Sequence, residues 1–363
     1  MPSPNVDLPR ITTLLSLPPR RKDIDAGAQI AQRRSRVLLL RSVMTPAAVR
    51  IAASRRAIDG VSEELNSVAS QNLDTAAVRR RVRAAFHEVQ ERLDHFLFKA
   101  APSGILMEER YERNAKGMEI FWKSWLPNLG TTTKATLFFC HGYGDTCTFF
   151  FEGIAKRIAA AGYGVYAMDL PGFGLSDGLH GYIHSFDEMV DLVIEQYAHI
   201  RERREVVGLR HFLLGQSMGG AVALKIHLKQ PKEWDGVVLV APMCKIAEDV
   251  TPPAAILNAL SLLSYILPEA KLFPQKDLGD LAFRDPEKRK MVTSPLLILH
   301  GAADKVTDPN VSKFLYDRAS TEDKSLRLYE GGYHALLEGE PDERISLVIA
   351  EIISWLDSRV SVQ

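Results

Sequence analysis

Short apolar runs recur along the second half of the chain, separated by stretches with helical spacing. The runs lie at 135–140, 163–170, 211–215, 236–242, 295–301 and 325–331. Because they are continuous rather than alternating, they indicate strands buried on both faces, as in a parallel sheet. The intervening segments include 185–200, which opens with the capping pair Ser185 and Glu188, and the stretch after Pro341. The pattern predicts an α/β fold, with a mostly parallel central sheet and helices on both faces.

Two segments precede these runs. In residues 75–98 the apolar positions fall three or four apart, with Val82 and Phe86 on the same face and most arginines elsewhere. We expect a helix packed on the main domain, and a membrane-surface helix is the alternative. Residues 107–126 predict a β-hairpin whose turn runs from Asn114 to Gly117.

One interval has no predicted strand, and it lies at about 243–294. Within it, residues 254–267 are apolar on most faces and are bounded by prolines. An insertion of this length between strands is often functional, so we expect a helical cap or lid, with an additional core helix as the alternative. The apolar stretch is too short to span a bilayer.

Positive and negative residues are equal in number over the whole chain, but they are unevenly distributed along it. The 363 residues carry no formal net charge and are 46% hydrophobic, which gives no reason to expect a nucleic-acid partner. The first 56 residues hold ten arginines against three aspartates, a composition typical of an organelle transit peptide. We expect a chloroplast location. A disordered basic tail on a cytoplasmic or peripheral membrane protein is the alternative. Three cysteines suggest free thiols.

The changes in composition and in predicted elements divide the chain into three parts. Residues 1–60 form the basic segment, residues 61–104 a helical extension, and residues 105–360 the main domain with its cap.

Candidate chemistry centres on the sequence GQSMG at 215–219. It fits G-x-S-x-G, follows a predicted strand and precedes a predicted helix, which is the context of a nucleophile elbow. A serine needs an oriented base, and in such folds the chain order is serine, acid, histidine. Asp304 and His334 follow later strands in that order, and we predict a triad with Ser217. Asp308 is the alternative acid, and His300 is expected to be structural.

The tetrahedral intermediate needs backbone N–H donors for its oxyanion. Met218, directly after the serine, should supply one, and Tyr143 in the glycine-containing loop after the first parallel strand should supply the other. His141 is expected to hold this loop by hydrogen bonds. His180 and His184 have no evident third ligand, so no metal site is expected.

Five motifs together resemble the monoacylglycerol lipase and lysophospholipase-like branch of the α/β-hydrolases, in a plant-type version. The resemblance covers about residues 105–360 and rests on CHGYGD (140–145), DLPGFGLSDG (169–178), GQSMGG (215–220), HGAADKVTDP (300–309) and YHALLEGEP (333–341). It implies hydrolysis of one acyl ester of a glycerol-bearing lipid without a cofactor, by the same catalytic and oxyanion residues. It also implies a cap that makes transient contact with a membrane surface.

Substrate recognition is less closely defined by the resemblance. Asp145 replaces the acidic residue of the family's HGxGE loop and is expected to contact the polar head. Gln216 stands where many members have histidine, which leaves the head group open. The alternatives are a lysophospholipase, a lysolipid acyltransferase (from the His141-x-x-x-Asp145 pattern), a caffeoyl-type esterase or a non-catalytic binding protein. The oligomeric state is also open.

Overall fold

A computed structural model describes residues 58, 60–99, 101–243 and 292–360. Within these residues, eight strands form one sheet in the order β1-β2-β4-β3-β5-β6-β7-β8. The strands are β1 Leu106–Arg113, β2 Glu119–Leu126, β3 Ala135–Cys140, β4 Tyr163–Met168, β5 His211–Gln216, β6 Gly236–Val240, β7 Leu296–Gly301 and β8 Lys324–Tyr329. Strands β3 to β8 run parallel, as predicted.

Helices cover both faces of the sheet. They are α1 Glu63–Ala69, α2 Ala76–Glu91, α3 Phe96–Lys99, α4 Phe150–Ala160, α5 Phe186–Arg201, α6 Met218–Lys229, α7 Pro309–Arg318 and α8 Asp342–Val360. Buried side chains of α5, α6 and α7 form a core on one face, and those of α4 and α8 form a core on the other. The apolar runs predicted as strands are therefore covered on both sides, which explains why they do not alternate.

The predicted hairpin is present and extends the sheet. β1 pairs antiparallel with β2 from Leu106 opposite Leu126 to Arg113 opposite Glu119. Its turn places Gly117 at φ 76°, a conformation that favours glycine. β2 then pairs antiparallel with β4, so the hairpin closes the edge of the parallel strands.

The helix predicted over 75–98 is shorter than expected. α2 ends at Glu91, and a separate turn, α3, follows. This break lets Leu97 approach Gly153 of α4 so closely that a side chain at Gly153 would overlap the Leu97 backbone. The helix packs on the main domain, since its Arg79 and Arg80 donate hydrogen bonds to the carbonyl oxygens of Gly174 and Leu175. The arginines were expected to lie off the packed face, but Arg79 is 6% exposed, so that expectation was wrong for this residue.

Several predictions fall outside the described residues. The basic segment up to residue 57 and nearly all of the cap at 243–294 lie there, as does Cys244. Cys140 and Cys147 are buried free thiols. Among the helices that the structure describes, none is long and apolar enough to cross a membrane.

Candidate active site

Ser217 sits in a sharp turn between β5 and α6. Its backbone lies at φ 53° and ψ −121°, in the left-handed region that side-chain-bearing residues seldom adopt. The turn is held because Ser217 N donates to Val240 O at 3.0 Å and Met243 N donates to Ser217 O at 2.9 Å. A strained serine at the carboxyl end of a central strand is the geometry of a nucleophile elbow.

Glycines make this turn possible because the elements around it approach too closely for side chains. A Cβ at Gly219 would overlap the carbonyl oxygen of Cys140 at the end of β3. At Gly215 a Cβ would overlap the backbone of Gly219 across the turn. The pattern G-x-S-x-G thus follows from the packing of helix α6 against strands β3 and β5.

The structure brings Ser217, His334 and Asp304 together. Ser217 Oγ lies 2.9 Å from His334 Nε2, and His334 Nδ1 lies 2.7 Å from Asp304 Oδ2. Asp304 follows β7, and His334 lies in the loop between β8 and α8. With the Nδ1 proton directed at the carboxylate, Nε2 is free to accept the serine proton, so the group can generate a nucleophile.

Asp304 accepts further hydrogen bonds that keep it ionised. Val306 N and Thr307 N donate to its Oδ1 at 2.7 and 3.1 Å, while Thr307 Oγ1 donates to Oδ2 at 2.8 Å. His300 Nε2 lies 3.0 Å from the same Oδ2. Burial opposes ionisation, but the hydrogen bonds from His300 and His334 outweigh it and hold the pKa of this carboxyl well below its ordinary value.

The alternative acid has another role. Asp308 caps α7, where its side chain accepts from Asn310 N at 2.9 Å. His300 was expected to be structural. It is fully buried and bridges Ser312 and Asp304, so it supports the acid directly.

The loop after β3 lies against the serine. A Cβ on Gly142 would lie 3.3 Å from Ser217 Cβ and 3.9 Å from its Oγ. His141 holds this loop as predicted: its Nδ1 lies 2.7 Å from Gly142 O, and its Nε2 accepts from Leu170 N at 2.9 Å. Tyr143 follows in the loop, and Met218 begins α6 beside the serine. The amides of these two residues stay predicted oxyanion donors: Met218 adjoins the serine in the chain, and Tyr143 adjoins Gly142, which approaches it.

Gln216 contacts a residue that the sequence analysis missed, Glu338, and the charge of Asp145 acts on that residue. Gln216 Nε2 donates to Glu338 Oε1 at 2.7 Å, while Glu338 Oε2 is buried without a hydrogen-bond partner in the described part of the chain. Burial, reinforced by the negative charge of Asp145, raises the pKa of Glu338 to about 8. Burial also raises the pKa of Asp145, against the influence of His141. Both effects favour the neutral form of Glu338, and no short-range sequence signal identified this residue.

In the described residues, no three His, Cys, Asp or Glu side chains are arranged to hold a metal ion. His180 and His184 lie in the loop that precedes α5.

The chain resembles known hydrolases in sequence. Residues 131–294 and 287–342 match the family described as serine aminopeptidase, S33 (Hydrolase_4). The chain belongs to this family. It is 32% identical over 302 residues to the caffeoylshikimate esterase of Arabidopsis thaliana, covering 71% of this chain and 91% of that protein. It is also 29% identical to the monoglyceride lipase of Mus musculus, covering 68% of this chain and 90% of that protein.

Solved structures share the fold. A soluble variant of the Saccharomyces cerevisiae monoglyceride lipase, in complex with a substrate analogue, matches with a TM-score of 0.58 at 20% identity, covering 69% of this chain and 95% of that one. The monoacylglycerol lipase of Paleococcus ferrophilus matches with a TM-score of 0.55 at 23% identity, covering 67% and 100%. The predicted α/β-hydrolase fold and the predicted class, a serine carboxylic-ester hydrolase, are confirmed.

Proposed function

We propose that this protein hydrolyses the single ester of a monoacylated polyol, with monoacylglycerol as the representative substrate, through an acyl-enzyme on Ser217. One observation carries the proposal: the continuous hydrogen-bonded path from Ser217 Oγ through His334 to Asp304, with distances of 2.9 and 2.7 Å. A strained serine joined to an oriented base is suited to acyl transfer.

In the first half-reaction, Ser217 Oγ attacks the acyl carbonyl carbon while His334 Nε2 takes the hydroxyl proton. The negative charge of Asp304 stabilises the imidazolium that forms. The backbone amides of Tyr143 and Met218 donate to the oxyanion, each contributing about 3 kcal/mol to transition-state stabilisation. When the carbon–oxygen bond of the ester breaks, His334 gives its proton to the departing alcohol.

In the second half-reaction, His334 takes a proton from water as the water oxygen attacks the acyl-enzyme. Collapse of this tetrahedral intermediate releases the carboxylic acid and returns the proton to Ser217 Oγ. The cycle consumes one ester and one water and needs no cofactor.

The alcohol side of the substrate is assigned to the polar group formed by Asp145, Gln216 and Glu338. The carboxyl groups and the Gln216 amide offer hydrogen-bond donors and acceptors, which suits the free hydroxyls of glycerol. An alcohol that carries a carboxylate would add a negative charge beside two acidic side chains, and like charges repel. Hydrogen bonding to hydroxyls and repulsion of negative charge together favour an ester of a neutral polyol.

An aromatic ester of a hydroxylated acid is the second candidate, because the Arabidopsis thaliana relative at 32% identity is a caffeoylshikimate esterase. A panel that varies the alcohol and the acyl group separately distinguishes the two. We expect monoacylglycerol to be cleaved faster than caffeoylshikimate, and the opposite order would assign the second activity.

Ser217→Ala provides the control for the chemistry. We expect the purified variant to be folded, inactive and unreactive towards a fluorophosphonate probe that labels the wild type. Hydrolysis of monoacylglycerol by Ser217→Ala at the wild-type rate would refute the proposed nucleophile.

We further propose that residues 1–60 direct the protein to the chloroplast and that the cap about 243–294 makes transient contact with lipid. The arginine-rich composition and the apolar stretch 254–267 support these two roles. N-terminal sequencing of the mature protein from tissue tests the first, because an unprocessed N-terminus would contradict it. Vesicle co-sedimentation with and without an apolar-to-serine change at Leu262 and Leu263 tests the second.

A further inference from the structure

Arg79 of α2 is buried in a cluster of backbone carbonyl groups, although it lies outside the residues that match the family. Its Nε donates to Gly174 O at 2.6 Å, and its Nη1 donates to the carbonyl oxygens of Leu73 and Asp74 at 2.8 and 3.2 Å. Its Nη2 donates to Ser176 O and, at 3.3 Å, to Gly178 O. Every nitrogen of the guanidinium is therefore engaged, and three of the five acceptors belong to one loop.

That loop, residues 172–181, follows β4. Its glycines at 172, 174, 178 and 181 all have positive φ, between 46° and 114°. Glycine-rich backbone has many accessible conformations in isolation, so an external group is needed to select one. Arg79 supplies this constraint from α2. Burial lowers the pKa of Arg79 to about 10, so the guanidinium stays charged at neutral pH.

Loop 172–181 also contacts the loop after β3, through Tyr143. The Tyr143 hydroxyl donates to Gly181 O at 2.7 Å, and its ring packs edge-on against Phe173 with centroids 5.2 Å apart. Tyr143 is thereby fixed at its side chain by Phe173 and Gly181, which belong to the same loop as the carbonyl groups that accept from Arg79.

The buried carboxylate of Asp169 makes a second connection between the two loops. Its Oδ2 accepts from Leu175 N at 2.8 Å, and its Oδ1 accepts from Thr146 Oγ1 and Cys147 N, both at 2.8 Å. Asp169 therefore joins the two loops at a second point.

We infer that Arg79 is a positioning residue for the reaction: through loop 172–181 it sets the place of the Tyr143 amide beside Ser217. The inference rests on the proposed role of Tyr143 in stabilising the oxyanion. Such stabilisation requires donors that are fixed before the reaction starts, and displacement by about 1 Å costs roughly 100-fold in rate. The helical extension is then a part of the catalytic apparatus, not an appendage.

Arg83, one turn further along α2, provides a matched control. It forms a bidentate ion pair with Glu109 of β1 at 3.1 and 2.6 Å, so it also ties the extension to the domain, but through a strand side chain and not through the carbonyl groups of loop 172–181. Lysine at either position keeps the charge and removes the planar fork.

The experiment compares Arg79→Lys and Arg79→Ala with Arg83→Lys and Arg83→Ala in the full chain. It measures kcat and KM on a monoacylglycerol, the rate of fluorophosphonate labelling of Ser217 and the thermal midpoint, with rates taken well below unfolding. We expect the Arg79 variants to lose about 10- to 100-fold in kcat and in labelling rate, with KM within about threefold of wild type. The Arg83 variants should keep both rates even where their midpoints fall equally.

Chemical rescue separates positioning from loss of folded protein. Arg79 lines an open cleft between α2 and the domain, together with Phe86, Asp145 and Leu175. Added guanidinium, at concentrations far below denaturing ones, should enter this space and restore part of the kcat of Arg79→Ala but not raise that of Arg83→Ala.

Equal labelling rates for folded wild type and Arg79→Ala would overturn the inference while leaving the role of Ser217 intact. So would equal losses at positions 79 and 83. Absence of labelling in the wild type would instead overturn the proposed function.

Discussion

Gln216, the residue before the serine, donates its side-chain amide to Glu338, four residues beyond His334, at 2.7 Å. This hydrogen bond joins the turn that holds Ser217 to the loop that holds His334. Because the other carboxyl oxygen of Glu338 is buried without a partner in the described residues, the pair has consequences for stability as well as for substrate binding.

Glu338→Gln should stabilise the protein in a pH-dependent way. The pKa of Glu338 is raised from an ordinary 4.5 to about 8 in the folded protein. Between pH 4.5 and pH 8, the folded state therefore keeps a proton that the unfolded state has released. An acid of this kind lowers the free energy of unfolding as the pH rises from about 4.5 to 8. Glutamine can accept from Gln216 without titrating.

We therefore expect the wild type and Glu338→Gln to be similar at pH 5 and the variant to be more stable at pH 9, by at most about 4 kcal/mol. Denaturant unfolding at both pH values measures the difference. Exposed Glu330→Gln is the control and should show no such trend. A pH-independent difference for Glu338→Gln would mean that the carboxyl is already ionised at pH 7.

Asp304→Asn should leave the fold intact and lower kcat by about 10⁴-fold, because an amide cannot hold His334 in the required tautomer or stabilise its positive charge. Single-turnover measurements with a chromogenic ester report this loss directly. Asp308→Asn, at the helix cap, should retain nearly full activity. Comparable losses at both positions would contradict the assignment of Asp304 as the acid.

Thr307→Val should lower kcat about fivefold without a large change in KM. The hydroxyl donates to Asp304 Oδ2 at 2.8 Å, and valine keeps its shape while removing one hydrogen bond worth about 1 kcal/mol. Thr321→Val, at a buried threonine away from the site, is the matched control. If both variants behaved alike in steady-state kinetics, Thr307 would have only a packing role.

Ser217→Gly should be more stable than Ser217→Ala by about 1 kcal/mol. Both remove the nucleophile, but only glycine adopts φ 53° and ψ −121° without strain, and this relief exceeds its greater entropy in the unfolded chain. Calorimetric unfolding of the two inactive proteins measures the difference. An alanine variant as stable as the glycine variant would show that the turn is unstrained.

Features governed by short-range pattern were predicted well from the sequence. The strands appeared within two residues of the apolar runs, and Ser217, Asp304 and His334 lie together because chain order and strand ends determine their placement. Two roles that depend on contacts that no recognisable motif describes were not predicted. Arg79 meets Gly174 across 95 positions, and Gln216 meets Glu338 across 122. Composition and periodicity do not predict that Arg79 or Glu338 is buried, because the burial of a charged group depends on partners that only the folded chain supplies.

The antiparallel pairing of β2 with β4 limits where this protein can be truncated. The family match begins at residue 131, beyond the hairpin, so a fragment designed on that boundary would lack β1 and β2. Such a fragment would present β4 as an open edge and uncover the apolar side chains that Trp122 and Trp125 shield, which are conditions that promote strand-to-strand aggregation. The smallest fragment of this hydrolase that can be expected to fold alone therefore includes residues well upstream of the boundary of the family match.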